Sequence, residues 1–436
     1  MDTPVLIRLT GILGIGTMIV LAVLLSANRR QIPWRLVGSA LGLQLVFGVL
    51  VLKTGVGRAL FSGANVMFTR LLGFTQQGAS FIFGQLSLGN NVPVGSAPGA
   101  FAPLTEQTGW AYTGAYFAFA VLPTIIFFSS LMSVLYYLGI MQRVVQGLAW
   151  GMQRVLGTSG AETLSVAGNI FVGQTEAPLL IKPFVGRMTN SELNTMMVGG
   201  FATIAGGVMA AYVGMLSPYF PDIAGHLLTA SVMNAPAALL ISKILQPETG
   251  VPETRGNVKL DIARTEANVI EAAAGGAGQG LQLALNVGAM LLAFIALIAM
   301  LNFGVGAVGD LAGVTGLTLE RIFGWVLAPL AWLMGVPWHD AGTVGSLIGV
   351  KTVVNEFVAY LQLAGSAGTL TPRSGIIASY ALLGFANFSS IAVQIGGIGG
   401  IAPERRGDLA RLGLKAMIGG NLAAFMSASL AGILIG

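Results

Sequence analysis

Residues 169–178, NIFVGQTEAP, place a glutamate, Glu176, among apolar residues at the centre of segment 160–188. The chain repeats this design once, because residues 353–358, VVNEFV, hold Glu356 inside the apolar segment 341–370. Both segments are interrupted by glycine and polar residues, so neither is a simple apolar helix. A carboxylate in apolar surroundings is costly unless its environment uses the charge. We therefore expect this matched pair of acids to mark the functional centre of the fold.

The composition around these stretches is typical of a membrane protein. Hydrophobic residues make up 54% of the 436 residues, charged residues only 9%, and the mean hydropathy is +0.79. A soluble domain carries about 25% charged residues. The sequence contains no Cys, which excludes disulfides and thiol chemistry, and only two His residues. The pI is near 9.6, but the basic residues are scattered between apolar stretches, which favours membrane topology over nucleic-acid binding.

Eight segments are long and apolar enough to cross a bilayer, which takes about 20 mostly apolar residues. They are residues 5–27, 36–54, 112–138, 195–217, 227–243, 279–303, 374–396 and 416–436. If the first short loop is cytoplasmic, the positive-inside rule places 15 of the 22 basic residues on that side. The order works only if 160–188 is a re-entrant hairpin from the cytoplasm and 341–370 one from outside. Residues 141–156, with Trp150 as an anchor, suit an interfacial helix.

Each hairpin begins one of two segments of similar design. In each, the next span carries a polar break, Thr203–Gly207 (TIAGG) in the first and Asn387–Ser390 (NFSS) in the second. Opposite entry sides make this an inverted repeat, and secondary transporters built in that way bind substrate and ion at the midplane. The predicted fold class is an all-α polytopic membrane protein with eight transmembrane helices, two re-entrant hairpins, interfacial helices and an inverted-repeat transport domain.

The predicted domains follow from this repeat. Residues 1–158 are scaffold spans 1–3 with interfacial helices, 159–245 the first transport repeat, 246–278 a cytoplasmic linker, 279–340 a scaffold span with an external helix, and 341–436 the second transport repeat.

The residue types near the two hairpins restrict the ligand. They include acids, amides, hydroxyls and aromatic rings but no Arg, whereas an anionic substrate would favour Arg or Lys. A neutral ligand with hydroxyl groups and a flat ring fits better, with Phe385 as a stacking face. The alternative interpretation is that Glu176 and Glu356 pair with Lys182 and Lys351 purely for folding.

Three motifs together resemble the concentrative nucleoside transporters: VGQTEAP at Val172–Pro178, NEFVA at Asn355–Ala359 and GFANFSS at Gly384–Ser390. The resemblance covers nearly the whole chain in span order. It implies a bacterial inner-membrane homotrimer in which each subunit has its own pathway and moves nucleosides by an elevator-like motion. It also implies Na⁺ as the coupling ion, no organic cofactor, no enzymatic activity, and membrane lipid rather than nucleic acid as a partner.

The resemblance also implies the site residues. Those implied for the nucleobase are Gln174, Thr175, Glu176 and Val208; those for the ribose are Glu356, Asn387 and Ser390, with Phe385 lining the site. The implied Na⁺ ligands are the side chains of Asn169 and Thr203 and the carbonyls of Val172 and Ile204.

Other functions remain as alternatives. Some relatives couple transport to protons, and the same architecture could carry another small polar solute, although the missing Arg disfavours amino acids and carboxylates. An intramembrane enzyme is disfavoured because the chain has no HExxH motif, Ser/His pair or paired membrane Asp. Saturable uptake against a concentration gradient would exclude a channel.

Overall fold

The computed structural model describes residues 5–87, 91–93, 110–112, 117–254 and 266–435. Almost all of these residues are helical, which confirms the predicted all-α class. The exception is an antiparallel pair of three-residue strands, β1 (Asn91–Pro93) and β2 (Trp110–Tyr112), in which Val92 faces Ala111. The pair lies in a Gly- and Pro-rich region that lacks the apolar periodicity of a helix.

The described residues between 5 and 156 form six α-helices. They are α1 (Val5–Leu24), α2 (Trp34–Lys53), α3 (Gly55–Phe83), α4 (Phe117–Ala120), α5 (Leu122–Tyr137) and α6 (Ile140–Leu156), with 3-10 turns at Arg29–Gln31 and Gly84–Ser87. The chain bends by 78° between α5 and α6, where Gly139 adopts φ +76°. Helix α6 buries Met141, Val145 and Ala149 on one face and exposes Trp150 on the other. This two-faced pattern agrees with the predicted interfacial helix.

The first repeat begins with a short hairpin and continues into a broken helix. Its elements are α7 (Gly160–Gly168), a 3-10 turn (Ala177–Ile181), α8 (Lys182–Val185), α9 (Asn190–Ala202), α10 (Gly206–Leu216) and α11 (Ile223–Leu245). Capping boxes at Ser159 and Thr189 fix the starts of α7 and α9. Lys243 near the end of α11 forms a buried ion pair with Glu162 of α7 at 2.7 Å. This pair joins the last helix of the repeat to its first.

The second repeat follows a long helix and a bent helix pair. The elements are α12 (Val269–Leu311), α13 (Leu319–Leu333), α14 (Trp338–Val353), α15 (Glu356–Ser366), α16 (Pro372–Leu382), α17 (Phe388–Ile401) and α18 (Arg406–Leu434), with a 3-10 turn at Pro403–Arg405. Helices α13 and α14 meet at a bend of 115°. Residues 269–278 of the predicted linker belong to α12, and its residues 255–265 lie outside the described part of the chain.

Seven of the eight predicted spans lie largely on helices, two of them broken, at 203–205 and at 383–387. The predicted span 112–138 is helical only in its later part, because Tyr112 belongs to β2 and residues 113–116 lie outside the described part of the chain. By length and composition, five units of the described chain could each cross a membrane alone, namely α2, the broken helix α9–α10, α11, α12 and α18. The α5–α6 and α13–α14 pairs meet the same criterion as bent units, while α1 and α17 are shorter apolar helices. Both predicted hairpins are present, as α7 with α8 and as α14 with α15.

The two helix breaks meet at the centre of the molecule. Gly384, in the second break, has φ +113°, and a Cβ there would overlap the Phe201 carbonyl oxygen and lie 2.8 Å from the Ala202 carbonyl carbon at the first break. Only glycine combines this φ with such a close approach. Helix α18 packs on both α9 and α11 and so links the two repeats.

Candidate substrate and ion site

A cavity of about 460 Å³ lies between the two hairpin tips, the two helix breaks and α12. All eight side chains predicted for substrate binding line it, although they come from four separate elements. They are Gln174, Thr175, Glu176, Val208, Glu356, Phe385, Asn387 and Ser390. The fold therefore brings the two halves of the predicted site together in one cavity.

On the second-hairpin side, Glu356 is fixed by hydrogen bonds. It begins α15 and is buried, with Tyr212 Oη donating to its Oε1 at 3.0 Å and Asn387 Nδ2 donating to its Oε2 at 2.9 Å. Asn387 caps α17, because its Oδ1 accepts from the Ser390 amide at 2.9 Å and from Ser389 Oγ at 2.8 Å. The Glu356 carboxylate, at the start of α15, is thus held by Asn387, the N-cap residue of α17. This contact orients the carboxylate before a ligand binds.

The first-hairpin side is more open. Gln174 is buried, and its Oε1 accepts a bond from Gln394 Nε2 at 3.0 Å. Glu176 is exposed, and it lines both the central cavity and a second cavity of about 310 Å³. A Cβ on Gly173 would overlap the Glu176 carboxylate, so glycine there makes room for the acid. This acid stands at the boundary between the two cavities.

The charge pattern argues against a folding-only role for the two acids. Among the described residues, neither Glu176 nor Glu356 forms an ion pair within 4.0 Å. Lys351 instead donates to the carbonyl oxygens of Ala381 and Leu383. The described lining of the central cavity contains neither Arg nor Lys, so it suits a neutral ligand that donates hydrogen bonds.

The four predicted ion ligands lie where the first hairpin meets the first helix break. Asn169 is the C-cap residue of α7 and Thr203 is the C-cap residue of α9, and both side chains are buried. Val172 lies in the hairpin tip and Ile204 in the break, and the two segments are joined by the Gly206 amide, which donates to the Phe171 carbonyl at 2.9 Å.

Asn169 supports a cation at this junction. In the described part of the chain, neither its Oδ1 nor its Nδ2 has a hydrogen-bond partner, although the side chain is buried. Buried polar atoms are normally satisfied, so an unpartnered amide oxygen next to a helix break fits a hard cation such as Na⁺. The described residues contain no cluster of three or more His, Asp or Glu side chains, and such a cluster would suit a different metal.

The cavity also contains residues that the sequence did not single out. Helix α12 contributes Leu283, Asn286 and Met290 to the wall. Tyr212 and Gln394 bond the predicted residues Glu356 and Gln174 from helices α10 and α17. The sequence could have indicated Asn286 and Gln394, because both lie within predicted spans and a side-chain amide in a membrane span needs a hydrogen-bond partner.

Two inverted repeats that enclose a cavity at paired helix breaks define a membrane transport protein rather than an enzyme. Family models described as the N-terminus and the C-terminus of Na⁺-dependent nucleoside transporters match residues 13–86 and 226–432, and a third, described as nucleoside recognition, matches residues 118–219. The chain belongs to this family of concentrative nucleoside transporters, which confirms the resemblance carried by its motifs.

Relatives and solved structures agree. The chain is 47% identical to an uncharacterized transporter of Haemophilus influenzae and covers 98% of each sequence, and it is 46% identical to the uncharacterized transporter YutK of Bacillus subtilis. It is 40% identical to sodium/nucleoside cotransporter 1 of Mus musculus, over 98% of this chain and 64% of that protein. The inward-facing substrate-bound structure of CNTnw is 43% identical over 98% of both chains, with a TM-score of 0.84. A CNTnw variant in an intermediate state matches with a TM-score of 0.89, at 44% identity over 99% of both chains.

Proposed function

We propose that this protein is a Na⁺-coupled nucleoside symporter that works by elevator-type alternating access. The observation that carries the substrate assignment is the single cavity lined by all eight predicted side chains. Its volume of about 460 Å³ is within the range of small-molecule sites. Glu356 and Asn387 supply an acceptor and an amide for ribose hydroxyls, while Gln174, Thr175 and Glu176 present amide, hydroxyl and carboxylate groups to the edge of a base.

Coupling to Na⁺ is supported by the junction of the first hairpin and the first break. Asn169 and Thr203 supply side-chain oxygen atoms there, and the hairpin tip and the break would contribute the carbonyls of Val172 and Ile204. A cation bound between the two segments would hold the hairpin against the break. Because Gln174, Thr175 and Glu176 follow in the same hairpin, this ion would order the base-binding half of the site.

The second cavity supports a release route toward the cytoplasm. Glu176 and Ala205 line both cavities, and Glu266 and Tyr136 line only the second. Glu266 is the first described residue after 255–265, in the predicted cytoplasmic linker. The relative CNTnw and its variants have been solved in inward-facing, intermediate and outward-facing states. These states support a movement of the transport repeats, 159–245 and 341–436, against the scaffold, 1–158 and 279–340. The homotrimer and the bacterial inner membrane in this proposal rest on the family resemblance and the bacterial relatives.

A thermal-shift panel of purified protein tests substrate and ion together. A ligand that binds the native state raises its melting temperature by mass action. We expect uridine or another nucleoside to stabilise the protein, and to do so much more strongly in NaCl than in choline chloride. Aspartate serves as the control solute. Equal nucleoside shifts in both salts would contradict Na⁺ coupling, and a shift with aspartate alone would contradict the substrate class.

A further inference from the structure

Lys351 is a fully buried lysine that the transport site described above does not use. It lies on α14, the first arm of the second hairpin, with a relative exposure of 0%. Its Nζ donates to the Ala381 carbonyl at 2.9 Å and to the Leu383 carbonyl at 3.4 Å, and it lies 5.7 Å from the centroid of the Phe425 ring. Ala381 and Leu383 mark the end of α16, so the ammonium group sits at the carbonyl end of the broken helix.

The first repeat has a different residue at the corresponding place. There Asn169, on the first arm of the first hairpin, lies against the last turns of α9, because a Cβ on Gly199 would be 3.6 Å from its Nδ2. Its side chain is neutral, and among the described residues neither of its polar atoms has a hydrogen-bond partner. The first junction thus offers an unpartnered amide oxygen, whereas the second already contains a lysine amino group.

The two breaks share one further type of contact, an asparagine amide from the last helix of the repeat. In the first repeat, Asn234 of α11 donates to the Ala202 carbonyl at 2.6 Å. In the second, Asn421 of α18 donates to the Ala386 carbonyl at 3.0 Å. The last helix of each repeat therefore donates an asparagine hydrogen bond to its break. The repeats differ at the carbonyl end of the broken helix, where the first hairpin arm contributes Asn169 in the first repeat and Lys351 in the second.

Electrostatics explains why that place favours a positive charge. The C-terminal end of a helix carries roughly half a negative charge, and carbonyls freed by a break in a membrane helix need a donor or a cation. A lysine ammonium supplies one full charge and three donors. It can therefore stabilise the carbonyl end of α16 in the same way as a bound Na⁺ would stabilise that of α9.

We propose that Lys351 is the built-in cation of the second repeat and takes the place that the coupling ion takes in the first. The proposal rests on the proposed Na⁺ site at Asn169. Lys351 acts as a positioning residue, because the break that it stabilises carries Phe385 and Asn387. Only the first hairpin then needs an ion from solution, and the second is permanently ordered for the ribose.

Three variants of the full chain, reconstituted into proteoliposomes, test this role. Lys351→Met removes the charge but keeps the stem, and Lys351→Gln keeps a donor without the charge. We expect both to raise the KM for uridine about tenfold or more, which corresponds to about 1.4 kcal/mol. Lys351→Ala also removes the stem and leaves space at the two carbonyls. For this variant we expect recovery of uptake at high Na⁺, with the Hill coefficient for Na⁺ rising from about 1 to about 2.

The controls separate this proposal from Na⁺ coupling itself. Lys182→Met removes an exposed lysine from the first hairpin and should leave uridine KM and the Na⁺ curve unchanged. The Na⁺ dependence of the wild type tests the coupling, and the variants test Lys351. A folded Lys351→Met or Lys351→Gln protein with wild-type uridine KM would overturn the role of the charge. A Lys351→Ala protein with the wild-type Na⁺ curve would overturn its equivalence to Na⁺. If Lys351→Met does not fold, the Lys351→Gln variant provides the same test.

Discussion

Replacement of Glu356 by glutamine should separate substrate binding from folding. The carboxylate accepts one bond from Tyr212 and one from Asn387 and lines the cavity, and it forms no ion pair within 4.0 Å among the described residues. Glutamine has nearly the same shape but only one acceptor oxygen. Its amide group must therefore point a donor at either the Tyr212 hydroxyl or the Asn387 amide, or rotate into the cavity.

The expected magnitude follows from these contacts. A hydrogen bond to a charged group contributes about 1.5–3 kcal/mol, and every 1.4 kcal/mol changes affinity tenfold. Loss of one charged bond to a ribose hydroxyl should therefore weaken uridine binding by about ten- to hundredfold. Folding should lose little or even gain, because the substitution removes a buried carboxylate that forms no ion pair within 4.0 Å among the described residues.

The assay combines uridine uptake into proteoliposomes with a melting curve of the purified protein. We expect Glu356→Gln to abolish measurable uptake at low uridine concentration while its melting temperature is unchanged or slightly higher. The matched control is Glu404→Gln, which changes an exposed acid outside the cavity and should behave as wild type. Unchanged uridine KM in Glu356→Gln would refute the assignment of Glu356 to the site, and a large drop in melting temperature would show that the carboxylate serves folding instead.

Four other substitutions test three separate parts of the structure. Asn169→Ala and Thr203→Ala should each raise the Na⁺ concentration for half-maximal uptake by about tenfold with little change in uridine KM at saturating Na⁺, and unchanged Na⁺ titrations would remove them from the ion site. Gly384→Ala should lower the melting temperature strongly, because it adds about 1–3 kcal/mol of backbone strain to an overlap with the opposite break. Gly400→Ala is its control, since no atom of the described residues lies within 4 Å of the new Cβ, and equal melting temperatures for the two variants would contradict the close approach of the two breaks. Arg405→Ala removes hydrogen bonds from the second repeat to the Gly186 carbonyl at the end of the first hairpin and to Asn190 at the start of α9. It should lower the free energy of unfolding by about 1–3 kcal/mol. A wild-type melting temperature would show that these bonds do not contribute to stability.

The spans and hairpins were accessible from sequence because a bilayer allows few solutions. Backbone polar groups in lipid must be satisfied within helices, so long apolar segments report the spans directly. Glu176 and Glu356 stood out for the same reason, as charges without a topological explanation. The motif resemblance then added the other residues of the predicted site.

The rest required the tertiary structure. Tyr212 bonds Glu356 across 144 positions of sequence, and nothing near either residue indicates this pairing. The sequence of helix α12 is typical of an ordinary apolar span. Its order of apolar and polar residues does not show that Asn286 lines the cavity. Lys351 lies five positions before Glu356, which suggested an ion pair, but the carbonyl end of α16 binds it instead.

Uptake of labelled uridine into proteoliposomes under defined ion gradients is the most direct test of Na⁺-coupled nucleoside transport. We expect accumulation above the external concentration when Na⁺ is high outside, and collapse to simple equilibration when the Na⁺ gradient is dissipated. Equal accumulation driven by a proton gradient alone, or no accumulation under any Na⁺ gradient, would contradict it.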